Sequence, residues 1–146
     1  MNKMSLKFKS RVENEAFART AALAFLMPLN PSVDEIMEIK TLVAEAVTNA
    51  IIHGYEGNPE GMVKLEIGYE QNNLITLIIS DTGEGIEDVE QAMQPLFTTK
   101  ENLERSGMGM SIMDTFSDSF DVISQPKEGT TIVIQKQLHK ESESSR

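Results

Sequence analysis

Apolar residues recur along this chain with two periods, and the switches between them divide it into elements. From Met4 to Lys9, Leu6 and Phe8 alternate with Ser5, Lys7 and Lys9, the period-two pattern of a half-buried strand whose lysines suit an exposed sheet edge. The period then lengthens. Asn14 can cap a helix running to about Met27, with Phe17, Ala21, Ala24 and Phe25 on one stripe and Pro28 near its stop. Its other side carries Arg19, Ala22, Leu23 and Leu26. A helix apolar nearly all round has a second face to bury, against a partner or against its own domain. Ser32 and Glu35 have the spacing of a capping box. Behind them Ile36, Ile39, Val43, Ala46, Val47 and Ala50 form one continuous stripe suited to lying on a sheet. Glu45 and Asn49 project from the opposite face, flanked by Leu42 and Ile52, and Gly54 with the Gly57-Asn58-Pro59 turn ends the helix.

Met62 to Glu70 and Leu74 to Asp81 read as strands joined at Gln71-Asn72-Asn73, residues that tolerate left-handed backbone. From Ile86 to Ser106 no period is sustained, and this stretch between two glycine clusters reads as a lid. A helix from about Met108 to Ser117, then strands near Phe120 to Ser124 and Thr130 to Leu138 around Lys127-Glu128-Gly129, complete the pattern. The order predicts an α+β fold in which helices cover one face of a mostly antiparallel, mixed sheet, in a single domain over residues 1–138. The polar tail from His139 to Arg146 reads as frayed.

Composition narrows the setting. The 146 residues suffice for one core without covalent staples. The absence of cysteine excludes a disulfide framework, a thiolate zinc site and a cysteine nucleophile. Met1 to Ser10 holds no apolar run of the length a signal peptide or membrane span needs, so the expected setting is the cytoplasm. Thirteen basic and twenty-three acidic residues give a net charge of -10. That charge disfavours nucleic acid and anionic lipid and suits a basic protein partner, though it also serves solubility alone.

Three clusters carry candidate chemistry. Glu45 and Asn49 share a helix face at i,i+4 spacing. Taken alone they are the wet side of an amphipathic helix, but a phosphoryl-transfer site also needs such groups: an amide oxygen for magnesium and a carboxylate to accept the nucleophile's proton. Asp81 ends an apolar strand and opens Asp81-Thr82-Gly83-Glu84-Gly85, where its carboxylate can take the exocyclic amine of adenine and Gly83 and Gly85 permit close backbone approach. An ordinary Asp-Gly loop has the same composition. Gly107 and Gly109 precede a helix whose first amides make an anion site, with Lys100 and Arg105 as further positive charge. No Gly-x-x-x-x-Gly-Lys-Ser/Thr, Val-Ala-Ile-Lys, His-Arg-Asp or Gly-x-Ser-x-Gly segment occurs, which disfavours P-loop, eukaryotic-kinase and serine-hydrolase chemistry. His53, on the edge of the Glu45 face, fits a packing or hydrogen-bonding role better than a phosphorylated or metal-bound one.

In order, Glu45 to Gly54, Asp81 to Gly85, Pro95-Leu96-Phe97-Thr98-Thr99-Lys100, Gly107 to Met110 and Gly129-Thr130-Thr131 resemble the Bergerat-fold (GHKL) ATPases over nearly the whole chain. Within that family the chain is most similar to the small bacterial anti-sigma factors that are also serine kinases. The resemblance implies a two-layer α/β sandwich with an ATP lid and a dimer that holds a sporulation sigma factor inactive. It further implies phosphorylation of a serine on an anti-anti-sigma protein, using ATP, with ADP as product, and Mg2+. By the same resemblance Glu45 is the base and Asn49 the magnesium ligand. Asp81, Gly83, Gly85, Ile86, Thr98, Thr99, Lys100, Arg105, Ser106, Gly107, Met108, Gly109, Met110 and Thr130 line the nucleotide. Arg19 is expected to touch a partner from the outward side of the first helix. The charged run from Glu101 to Ser106 departs from the glycine-rich lid of sensor histidine kinases, and no helical hairpin with a phosphoacceptor histidine is present. A non-catalytic ATP-dependent binding module and a fragment of a sensor histidine kinase are the alternatives.

Overall fold

In a computed structural model that describes residues 1–55, 58–81, 109–125 and 129–140, each apolar pattern becomes an element. The order is β1 (Asn2–Lys9), α1 (Glu13–Leu26), a 3-10 turn (Met27–Leu29), α2 (Val33–Asn49) running on into a π turn (Ala50–Gly54), β2 (Met62–Tyr69), β3 (Leu74–Asp81), α3 (Gly109–Phe116), β4 (Ser119–Gln125) and β5 (Gly129–Gln137). The five strands form one sheet in the order β1-β2-β3-β5-β4. All four pairings are antiparallel, so the sheet has no parallel component among the described strands. In the β2–β3 turn Asn73 takes a left-handed φ of 65° and Asn72 Oδ1 accepts from Leu74 N at 3.3 Å.

Alternation along the strands gives the sheet one covered face. Val63, Leu65 and Ile67, Ile75, Leu77 and Ile79, and Ile132 and Ile134 are all buried, together with Ala18, Ala22 and Leu26 of α1, the α2 stripe from Ile39 to Ala50 with Leu42 beside it, and Met110 and Met113 of α3. Burying each of the larger side chains contributes about 2 kcal/mol. Lys3, Ser5, Lys7 and Lys9 occupy the other face of β1, an edge strand as its sequence predicts.

The most deeply buried side of α1 is not the expected stripe of Phe17, Ala21, Ala24 and Phe25, of which only Phe25 packs against the core, its ring centroid 5.3 Å from that of Tyr69. Ala18, Ala22 and Leu26 are fully buried, whereas Phe17 is 58% exposed and Ala24 also faces outward. Two small alanines on the buried side let α1 lie close against the domain, as a side bearing Phe17 would not. Asn14 is not the cap either. The helix begins one residue before it, and the Asn14 amide donates to Lys9 O at 2.9 Å, tying α1 to the end of β1.

Helix α2 starts as its capping box requires. Ser32 Oγ accepts from Glu35 N at 3.1 Å, and Ser32 N donates to Glu35 Oε1 at 2.8 Å. The second Glu35 oxygen accepts from His139 N at 2.7 Å, and the His139 ring lies 2.6 Å from Leu29 O. Asp118 accepts from Gln137 N at 2.7 Å and pairs with Lys140. His139 and Lys140, at the head of the expected tail, are therefore held against the domain; residues 141–146 lie outside the described ones.

Burial pushes the Glu35 and Asp118 carboxyls up, but their hydrogen bonds and nearby positive charge outweigh it and hold both below the ordinary range. For Glu35 these are the bonds from Ser32 and His139, and for Asp118 those from Gln137 and Lys140. A carboxyl lowered by folding adds stability above its unfolded pKa and loses it as pH falls through its folded pKa. The unfolding free energy in urea should be flat from neutrality to about pH 5 and fall below about pH 4. Asp118→Asn should lower the neutral value and flatten the acid slope.

Candidate functional site

Glu45 and Asn49 stand one turn apart on the half-buried side of α2, opposite the core stripe. Glu45 lines a cleft of about 310 Å³ between α1 and α2, with Glu15 and Arg19 on one wall and Met37, Lys40, Thr41, Ala44 and Thr48 on the other. Arg19 is thus in the cleft beside Glu45, not on an outward face with Leu23 and Leu26, since Leu26 is fully buried. Arg19 Nε lies 3.4 Å from Glu15 Oε2, one helical turn earlier. That oxygen is buried and makes no hydrogen bond, so the contact is one of charge only.

Asp81 closes β3 on the covered face of the sheet and is 8% exposed. Its register partner on β5 is Thr130, also buried, whose hydroxyl lies 2.8 Å from Ser124 Oγ on β4. Ser124 Oγ donates in turn to Gly129 O at 3.1 Å. Gly129 has a φ of 95°, open to glycine and strained for other residues. This end of the sheet therefore gathers a carboxylate and two hydroxyls, groups able to accept from and donate to a planar heterocycle. The π turn at the end of α2 packs against β3 and β5, bringing the Asn49 end of the helix to the strands that carry Asp81 and Thr130.

Gly109 and Met110 open α3, which packs on α2, and Met110 is anchored in the core. The first amides of α3 carry the positive end of its dipole. Gly83, Gly85, Ile86, Thr98, Thr99, Lys100, Arg105, Ser106, Gly107 and Met108, with the rest of the lid, lie outside the described residues, as does the side chain of His53. No group of three or more His, Asp or Glu able to hold a metal occurs among the described residues.

Ser124, Glu15 and Tyr55 were missed by sequence reasoning. Glu15 had a signal, its i,i+4 spacing to Arg19. Tyr55 had one only in the glycine that follows. Its hydroxyl donates to Met62 O, and a Cβ on Gly61 would come within 2.5 Å of its ring. The ring thus clamps the chain leaving the π turn.

The chain matches the model of the histidine kinase-like ATPase domain over residues 8–136. It is 50% identical over 138 residues to the anti-sigma F factor of Clostridium beijerinckii, covering 94% of this chain and 96% of that one. To the anti-sigma F factor of Halalkalibacterium halodurans it is 52% identical over 139 residues, covering 95% and 94%. The chain belongs to the anti-sigma F factors, a family of histidine kinase-like ATPases. A solved structure of the RsbU and RsbW domains of a Mycobacterium tuberculosis protein shares the fold, with a TM-score of 0.70 at 13% identity over 97% of this chain and 34% of that one.

Gly61→Ala should destabilise the protein by about 1 to 3 kcal/mol in urea titrations, because the new methyl meets a ring backed by the domain. In a Tyr55→Ala background the same substitution should cost much less, a non-additivity read from the double-mutant cycle.

Proposed function

We propose that this anti-sigma factor is an ATP-dependent protein serine kinase that sequesters a sporulation sigma factor, sigma F, and phosphorylates its anti-anti-sigma partner. The observation that carries the reading is the position of Glu45, a carboxylate on the wall of an open cleft and one helical turn from the amide of Asn49. The relatives' name supplies the class of partner.

In this reading the buried Asp81 accepts from the exocyclic amine of adenine, and Thr130 supports the same end of the nucleotide. The first turn of α3 faces the phosphates. Asn49 offers one neutral oxygen donor, which suits magnesium, an ion that takes its other ligands from phosphate oxygens and water. When bound, that ion neutralises phosphate charge. Glu45 orients the acceptor serine hydroxyl. A bond forms from the serine Oγ to the γ-phosphorus, the bond to the ADP oxygen breaks, and the hydroxyl proton passes to Glu45.

Arg19 and the cleft it lines would meet the protein partner. A homodimer in the cytoplasm completes the reading. No described helix is long and apolar enough to cross a membrane, and the net charge of -10 supports protein partners over direct nucleic-acid contact.

With labelled ATP, magnesium and the anti-anti-sigma partner, acid-stable label should appear on serine. Glu45→Ala should cut transfer by about 10²-fold or more while nucleotide affinity stays within a few fold. Asn49→Ala should instead weaken nucleotide binding in its magnesium dependence. Capture of the sigma factor with no label would reduce the protein to a nucleotide-dependent binding module. Acid-labile label on a helical-hairpin protein would mark it as a histidine kinase fragment.

A further inference from the structure

The covered face of β5 is apolar between two polar ends. Thr130 stands at the end beside Asp81, and Lys136 at the other, beyond Ile132 and Ile134. Only 9% of Lys136 is exposed. Its Nζ donates to Glu38 Oε1 on α2 at 2.6 Å and to Phe116 O, the last residue of α3, at 2.9 Å. The ammonium thus reaches two helices and the sheet at once. Its positive charge also helps to hold down the nearby Asp118 carboxyl.

A buried ion pair is a poor source of stability, because desolvation offsets most of its attraction, and apolar residues of similar volume often serve as well. What an apolar contact lacks is direction. Lys136 fixes a carbonyl left unpaired at the end of α3 and a carboxylate two turns before Glu45. An eight-residue helix is about 12 Å long, and its last carbonyl, held by Lys136, together with Met110 and Met113 anchored in the core fixes how the helix lies.

We infer that Lys136 is a positioning residue, linking α3 to α2 through Phe116 O and Glu38 so that the first turn of α3 keeps a fixed placement relative to Glu45 and Asn49. The inference rests on the reading of that turn as the phosphate-facing one. Lys136 stands at the opposite end of β5 from Thr130 and Asp81 and acts through the helices it holds.

Two variants test it on the full chain: Glu38→Gln, which weakens the α2 arm alone, and Lys136→Met with Glu38→Leu, which replaces the pair by apolar side chains. The double variant should melt close to the wild type, and Glu38→Gln, which leaves the buried ammonium without its counter-charge, should melt lower while still folding. Amide exchange at Met110–Met113 should speed up about tenfold in the double variant and less in Glu38→Gln. The kcat for phosphoryl transfer should fall about tenfold with KM for ATP little changed, as expected when reacting groups are displaced but binding survives. A folded double variant with wild-type α3 exchange and kcat would overturn the inference. A kcat lost only in proportion to folded protein would do the same. If the double variant fails to fold, Glu38→Gln decides by the same two readouts. Should the wild type label no acceptor, the kinase reading fails, and α3 exchange in the double variant still decides the link.

Discussion

Everything in this domain depends on α2 lying flat on the covered face of the sheet. Ile39, Val43, Ala46, Val47 and Ala50 seal the strands on one side, and this seal fixes the azimuth of the helix about its axis. Once it is fixed, Glu45 and Asn49 have no choice of direction. The polar pair is aimed by the apolar stripe behind it, and rotating the helix to re-aim the pair would expose residues that carry much of the core's free energy. Precision at the site is a by-product of packing, the arrangement expected where functional groups sit on rigid elements and not on loops.

The same seal explains how distant segments meet. Asp81 and Thr130 are far apart in sequence, but the β3–β5 ladder makes them neighbours on the face that α2 covers. The π turn then presses the end of α2 onto those two strands. Its extra residue per turn widens the helix where it leaves the core, a local irregularity that recurs at functional sites. Tyr55 and Gly61 hold the exit, and Lys136 holds the far end of α3. The proposed site is thus framed by groups outside the cleft that Glu45 lines.

Legibility in the sequence followed the strength of the local pattern. The capping box at Ser32 and Glu35, the α2 stripe and the β2–β3 turn were readable because one short-range interaction decides each. The facing of α1 was not, because both its sides are apolar and the choice turned on the small volume of Ala18 and Ala22 on its buried side. The π turn left no period to read. At the site, Glu45 with Asn49 and Asp81 with its glycines were each as consistent with ordinary structure as with chemistry, and only the order of the motifs pointed to a nucleotide. The nearness of Arg19 to Glu45 depends on the packing of two helices, and the Asp81–Thr130 register on a long-range ladder. Neither is encoded within a few residues.

The β1–β2 ladder has a kinetic side. Its register runs from Asn2 opposite Tyr69 to Lys9 opposite Met62, so the edge strand waits for a partner made much later in the chain. Between them lie both helices that form the cleft, already able to pair through local contacts. Loop-closure entropy makes such a distant pairing slow relative to helix formation. The edge strand therefore acts as a latch: Ser10 N on Gly61 O engages only when the two ends of this long loop come together, whereas Asn14 on Lys9 O is local and can form earlier. A nascent chain with its first seventy or so residues free of the ribosome holds every residue that lines the cleft, while the strand bearing Asp81 is still to come.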